Sequence, residues 1–369
     1  MDTAILLKQL TEARGPSGYE AEIREAVGKL FGDFAHEVRV DALGNCAALH
    51  RGAGPAEPGG ARPSLMIAGH MDEIALMVSG IEKGYLRIAQ IGGFDPRVLL
   101  GQEVVVHGSR EMPGLIVSVP PHFTEPAERE KPVPLEKLFV DIGLPPNEVE
   151  SLVRVGDLVT LAARWSTLAN GYAACKSMDD RTAVAAMALC MEELSRRTHQ
   201  WDAYAVATVQ EETGLIGAIT SSYGIDPTAA IAIDVTFGAQ PGLPAAETVG
   251  MDGGPAIGMG PNFHPLIHER LVSTAKAMEL RFQVEPLPGA SGTDAWGIQV
   301  SRSGIPCGLL SIPLRSMHTP VETVCLRDVE RTGRLLAEFI CGLPADFAES
   351  LVVRDAFAEK PRAAAERGA

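Results

Sequence analysis

Apolar residues recur along this chain with two different periods, and the switch between them marks out its parts. Near the start, Leu6, Leu10 and Ala13 share one helical face, and Ile23, Val27 and Leu30 share another. This predicts two short amphipathic helices, broken by GPSG at 15–18. After Asp33 the period falls to two in EVRVD and again in CAAL, predicting strands on either side of a DALGN turn. RGAGPAEPGGARP is too rich in Gly and Pro for either element and predicts a surface loop. SLMIAGHMD is an apolar run that ends in polar groups, the pattern of a buried strand emerging at a sheet edge.

From about 73 to 166 the texture changes to short alternating runs such as YLRIAQI, QEVVVHG, GLIVSV and LFVDIG between Gly and Pro turns. No helix of more than two turns is predicted there. From about 167 onward, strand-like runs (AYAVATVQE, AAIAIDVTF, CGLLSIP) alternate with helix-like ones (DRTAVAAMALCMEEL, HPLIHERLVSTAKAMEL, LRDVERTGRLLAEFICGL). Such alternation predicts an α/β fold, a mostly parallel sheet flanked by helices on both faces. The expected organisation is one α/β/α domain made of residues 1–72 and 167–350, an inserted small β-rich, barrel-like module over 73–166, and a frayed tail over 351–369. No internal repeat is visible.

At 369 residues the chain is long enough to build a sizeable core, and 46% apolar with 21% charged residues is ordinary globular composition. Lys and Arg total 32 against 47 Asp and Glu, a net charge of −15. With no basic cluster to offset it, that charge repels nucleic acid and anionic lipid, so neither is expected as a partner. No apolar window is long enough for a membrane helix and no secretory leader is visible, which predicts a cytoplasmic protein. The six cysteines form no CxxC pair and are expected as buried free thiols.

Five polar clusters stand at the ends of predicted strands, where open α/β sheets bind ligands. They are GHMDE with His70 and Asp72, SMDDR with Asp179 and Asp180, VQEETG with Glu211 and Glu212, AIDVTFG with Asp234, and RSMHTP with His318. Two imidazoles and several carboxylates without a thiolate suit zinc, cobalt or manganese. A bridging Asp could hold two cations for hydrolytic chemistry. Each residue alone has a plainer reading. His70 could be a hydrogen-bonded structural histidine, Glu211 and Glu212 could sit on a solvated loop tip, and one of Asp179 and Asp180 could cap the following helix. A cap explains only one of that pair, and a common ligand role covers all five clusters. Asp72 is spaced to orient the His70 imidazole, and one of the paired glutamates could serve as general base. His107 falls in the β module, His264 and His268 open or line a helix, and His36, His50, His122 and His199 are expected at the surface.

The segments AGHMDEIALMV, KSMDDR, VQEETGLIGA, AIDVTFG, SGTDA and RSMHTPVE, in this order, resemble those of the dinuclear metal aminopeptidases that include glutamyl and tetrahedral aminopeptidases. The resemblance runs from the first helix to about residue 345. It implies that two divalent ions, zinc or cobalt, are held by His70, Asp179, Glu212, Asp234 and His318, with Asp179 bridging. Glu211 would be the general base for a metal-bridging hydroxide, and Asp72 would orient His70. Choosing Asp179 over Asp180 rests on the family pattern. The resemblance further implies peptide substrates and a homo-oligomer, dimer-based and up to a tetrahedral dodecamer, assembled through the inserted module. Ala75 and Ser316 depart from the family pattern without touching an implied ligand, and Ser316 lies near the expected cleft. The family includes enzymes for acidic, basic and apolar N-terminal residues, and some relatives carry an endoglucanase label. The competing readings are a metal-independent glycoside hydrolase, which the two histidines disfavour, and a non-catalytic metal-binding assembly protein, which would need a missing ligand or base.

Overall fold

The computed structural model describes residues 1–54, 62–162 and 164–352. The expected tail beyond 352 and the centre of the Gly/Pro loop, 55–61, lie outside the described residues. The two opening helices are Thr3–Glu12 and Ala21–Gly32. Asp2 caps the first, its side chain accepting from the Ile5 N–H at 3.0 Å. Leu6, Leu10, Ile23 and Val27 are buried as their spacing predicts.

Among the described residues an eleven-stranded sheet forms the main body. Its centre runs Asp202–Thr208, Ser64–His70, Ala229–Phe237, Cys307–Arg315, and these four strands are parallel to their neighbours within the group. Three of them, Ser64–His70, Ala229–Phe237 and Cys307–Arg315, are apolar over most of their length, as burial on both faces requires. Alternate residues feed separate layers: Leu65 and Ile67 pack into one core, Met66 and Ala68 into the other. Outside this centre the sheet is mixed. Glu37–Val40 and Cys46–His50 extend one side antiparallel, and Glu322–Cys325, Tyr172–Cys175 and Ser166–Thr167 extend the other. The long helix Met178–Leu194 lies across the Ser64–His70 strand. Gly69 permits that approach, since a Cβ there would stand 2.5 Å from the Ala183 methyl.

The inserted module is a closed six-stranded barrel, in the order Ala75–Glu82, Tyr85–Ile91, Leu138–Asp141, Glu111–Ser118, Glu103–His107, Leu158–Leu161. It has a separate core that includes Leu76, Leu86, Val104, Ile116 and Val140. The chain enters it directly after Asp72. Glu73, 2% exposed, fixes that junction: it accepts from the Gly15 N–H at 2.9 Å and from Lys176 and Ser177, which lead into the long helix. Burial would raise the Glu73 carboxyl, but Lys176 and Arg181 hold it below the usual carboxylate range.

All six cysteines are free, and five are buried. Two of the histidines expected at the surface are not there. His50 and His199 are 8% and 3% exposed and hydrogen-bond each other, Nδ1 to Nε2 at 2.7 Å, while the second His199 nitrogen meets the Trp201 carbonyl. Pairing the rings with each other and with a backbone carbonyl is what permits their burial. No helix among the described residues is long and apolar enough to cross a membrane.

Candidate active site

His70 is the last residue of its strand, and Asp234 lies near the end of the adjoining parallel strand Ala229–Phe237. Glu211 and Glu212 follow Thr208, the register partner of His70, by three and four residues. Asp179 sits at the start of the long helix, and His318 lies three residues past Arg315. All six, His70, Asp179, Glu211, Glu212, Asp234 and His318, line one cleft of about 860 Å³ at the carboxyl edge of the central strands. The turns that bring them there are tight. Ser177, Gln210, Ser316 and His318 all have φ between 53° and 59°, a left-handed backbone that periodicity does not announce.

Asp179 stands at the centre. Its Oδ1 is 3.1 Å from His70 Nε2 and its Oδ2 is 3.3 Å from His318 Nε2. Glu212 Oε2 is 3.6 Å from His318 Nε2, and Glu211 Oε2 is 3.8 Å from His70 Nε2. Donor atoms of His70, Asp179 and Glu212 lie within 4.8 Å of one another, as do those of His70, Asp180 and Asp234. The neighbouring aspartates divide their work. Asp180 Oδ1 accepts from the Ala183 N–H at 3.2 Å, so it is Asp180 that caps the regular part of the helix, leaving Asp179 turned to the imidazoles.

A ring of buried acceptors holds these groups in place. Asp72 lies 3.6 Å from His70 Nδ1 and accepts from Ser17 Oγ at 2.5 Å and from the Glu211 and Glu212 N–H groups at 3.1 and 3.2 Å. Glu322 accepts from the Asp179 N–H at 3.0 Å and the His318 N–H at 2.7 Å. Asp294 accepts from Thr208 Oγ1 at 2.5 Å. Sequence reasoning assigned no role to Ser17, Glu322 or Asp294. The last two do lie in the quoted segments RSMHTPVE and SGTDA, which is the only signal that marked them.

Electrostatically the cleft is a concentration of buried carboxyl groups, and among the described residues no Lys or Arg lines it. Burial, reinforced by Asp234, Asp294 and Glu212, pushes Glu211 up to about 10. Burial and Asp179 push Glu212 up to about 8. Asp180, Asp234 and Glu322 are all driven well above the carboxylate range, chiefly by burial. Burial would also raise Asp179, but its hydrogen bonds to His318 and His70 hold it well below. His318 is raised to about 9, first by its hydrogen bond to Asp179. Glu212 Oε1 and Asp180 Oδ2 are buried without a hydrogen-bond partner. Crowded oxygen and nitrogen donors with unmatched negative charge fit divalent cations. By contrast, the cluster of Asp252, Asp328 and Cys325 is already neutralised, Asp252 by Arg327 and Arg331 and Asp328 by Arg331.

Glu211, Glu212 and His318 bind protons more tightly folded than unfolded, so the stability they confer is complete below the unfolded values of 4.5 and 6.5 and is lost as pH climbs toward their folded values. Protein stripped with a chelator should therefore melt lower, by about 5 °C or more, when moved from about pH 5 to about pH 8. Added zinc should raise the melting temperature most at the alkaline end, where fewer protons compete. Scanning calorimetry checks this, and a flat melting temperature in chelator would contradict it.

The chain is similar over most of its length to known proteins of one family. A family described as M42 glutamyl aminopeptidase matches residues 52–335. A lysyl aminopeptidase from Pyrococcus furiosus is 37% identical, over 93% of this chain and 98% of the relative. Among solved structures, an aminopeptidase from Desulfurococcus kamchatkensis has a TM-score of 0.88 at 36% identity, covering 95% of this chain and 97% of that one. The TET1 peptidase of Pyrococcus horikoshii, described as assembling into a tetrahedron or a large octahedral shell, has a TM-score of 0.80 at 30% identity, covering 93% and 100%. Near full-length matches of this kind leave one conclusion, that the chain belongs to the M42 glutamyl aminopeptidase family.

Proposed function

We propose that this protein is a two-cation aminopeptidase that removes residues one at a time from the N-termini of peptides. The observation that carries the reading is the Asp179 carboxylate, whose two oxygens each face a different imidazole within 3.3 Å, with Glu211 and Glu212 alongside. His70, Asp179 and Asp234 would hold one cation, and Asp179, Glu212 and His318 the other, with zinc or cobalt best suited to the donors. When bound, the pair supplies Lewis-acid polarisation of the scissile carbonyl and makes water a stronger acid.

The chain's own groups do the rest. Glu211 takes the proton of the attacking water and returns it to the departing amine nitrogen. Asp72 fixes the backbone of residues 211 and 212 and aims the His70 ring, so base and ligand keep one geometry. Glu322 does the same for Asp179 and His318. The six free thiols suit a reducing compartment, which supports work in the cytoplasm. The assembling relative supports a homo-oligomer, which we place on the barrel and take to be dimer-based and up to a tetrahedral dodecamer.

Chelation tests the reading. Activity on a short peptide should vanish in chelator and return with zinc or cobalt, and the product ladder should shorten from the N-terminus by single residues. An N-acetylated peptide should resist. Cleavage that persists without metal, or that begins at internal bonds, would overturn the proposal, and a metal-independent glycosidase would show neither pattern.

A further inference from the structure

The family description says glutamyl and the P. furiosus relative is called lysyl, so membership alone leaves the first-residue preference to the cleft itself. One wall of the cleft carries a carboxylate outside the cation-facing set. Glu285 lies on the strand Gln283–Pro286, opposite Gly258 of Ala256–Met259, which in turn pairs with Cys307–Arg315. It reaches over the sheet to accept hydrogen bonds from Thr236 Oγ1 and from Ser311 Oγ, the latter at 2.6 Å. Ser311 is the register partner of Asp234, and Thr236 lies two residues beyond Asp234 on the same face of its strand. Glu285 is thus anchored to side chains about 5 Å across and about 7 Å along the sheet from Asp234, within the reach of one long side chain.

The setting favours a cation there. The two hydroxyls occupy only part of the acceptor capacity of a carboxylate, which has about four lone-pair sites. Among the described residues no Lys or Arg lines the cleft and no basic side chain pairs with Glu285. Exposed Glu247 at the cleft adds further negative charge. Val249, Val284, Leu287 and Leu309 supply apolar walls, which suit the methylene stem of a long basic side chain. Along this wall an acidic first residue would meet like charge at Glu285 and Glu247.

Resting on the aminopeptidase reading above, we propose that Glu285 selects peptides whose first residue is cationic, lysine or arginine. Its carboxylate receives the ammonium or guanidinium of that residue while the peptide's amino end and scissile bond lie toward Asp234 and His70. A purely structural role for Glu285, tying its strand to Thr236 and Ser311, would be met equally by glutamine.

The test compares kcat/KM for the lysyl, arginyl, leucyl and glutamyl p-nitroanilides with zinc- or cobalt-loaded enzyme. The lysyl and arginyl substrates should lead, and the glutamyl one should come last. Glu285→Gln should lower the lysyl-to-leucyl ratio by about 30-fold, the low end for losing one partner of a partly desolvated charge pair. Glu285→Lys should raise the glutamyl substrate relative to the lysyl one. A wild-type enzyme that prefers the leucyl or glutamyl substrate overturns the inference without variants and leaves the aminopeptidase reading standing, as does an unchanged ratio in Glu285→Gln. Failure to cleave any of the four, with metal bound, overturns both.

Discussion

Asp179→Asn is expected to lose turnover by at least about 10³-fold, because it removes a carboxylate whose two oxygens face the two imidazoles and so weakens both cation positions together. Asparagine keeps the shape and the backbone N–H that donates to Glu322, so the fold should survive. Metal content after gel filtration should fall well below two ions per chain. The neighbouring Asp180→Asn is the control. Asp180 caps the helix through the Ala183 N–H, a bond that the asparagine oxygen also accepts, so this variant should keep near wild-type stability and turnover. An Asp179→Asn protein that keeps two ions and near-normal turnover would remove the basis for the proposed mechanism. A larger activity loss at Asp180 would move the bridging role to that residue, whose Oδ2 is buried and unpartnered near His70 and Asp234.

Glu211→Gln should lower kcat by about 10²- to 10⁴-fold, the usual contribution of a positioned base, while both ions and KM for an aminoacyl anilide stay close to wild type. It also carries a signature that an accidental structural defect would not. With no cation beside it, burial drives the Glu211 carboxyl up to about 10, so the metal-free folded chain favours the uncharged form, whereas bound cations would favour the carboxylate that a base needs. Glutamine is permanently uncharged, and in chelator at about pH 8 the variant should therefore melt at or above the wild-type temperature. Stopped-assay kinetics and calorimetry on one preparation read both effects. Near-normal kcat with two ions bound would show that another group moves the proton.

The central strands were legible because a strand buried on both faces must be apolar throughout, and a polar residue that ends such a run has few places to be. SLMIAGH and AAIAID announce both the sheet and the sites of His70 and Asp234 in this way. The flanking antiparallel strands Tyr172–Cys175 and Glu322–Cys325 are only four residues each, too short for a period to register. The same shortness hid Glu322 and Asp294. A lone carboxylate after a short polar stretch looks solvated until the fold shows that Glu322 is 2% and Asp294 1% exposed. Glu73 followed the recognised Asp72 by one residue yet faces the other way, into Lys176 and Ser177. His50 and His199 were misplaced because their partner is a second histidine 149 residues away, and pairing at that separation leaves no local trace.

The barrel's position between Asp72 and Asp179 also sets the order in which the molecule can be completed during synthesis. Its six strands are contiguous and enclose their own core, so they can close while the ribosome is still making the remaining half. The Ser64–His70 strand cannot follow suit, because both of its neighbours, Asp202–Thr208 and Ala229–Phe237, are translated later. Until they emerge, an apolar strand with two bare edges waits beside a finished barrel. That interval is when the nascent chain is most open to aggregation and to capture by chaperones.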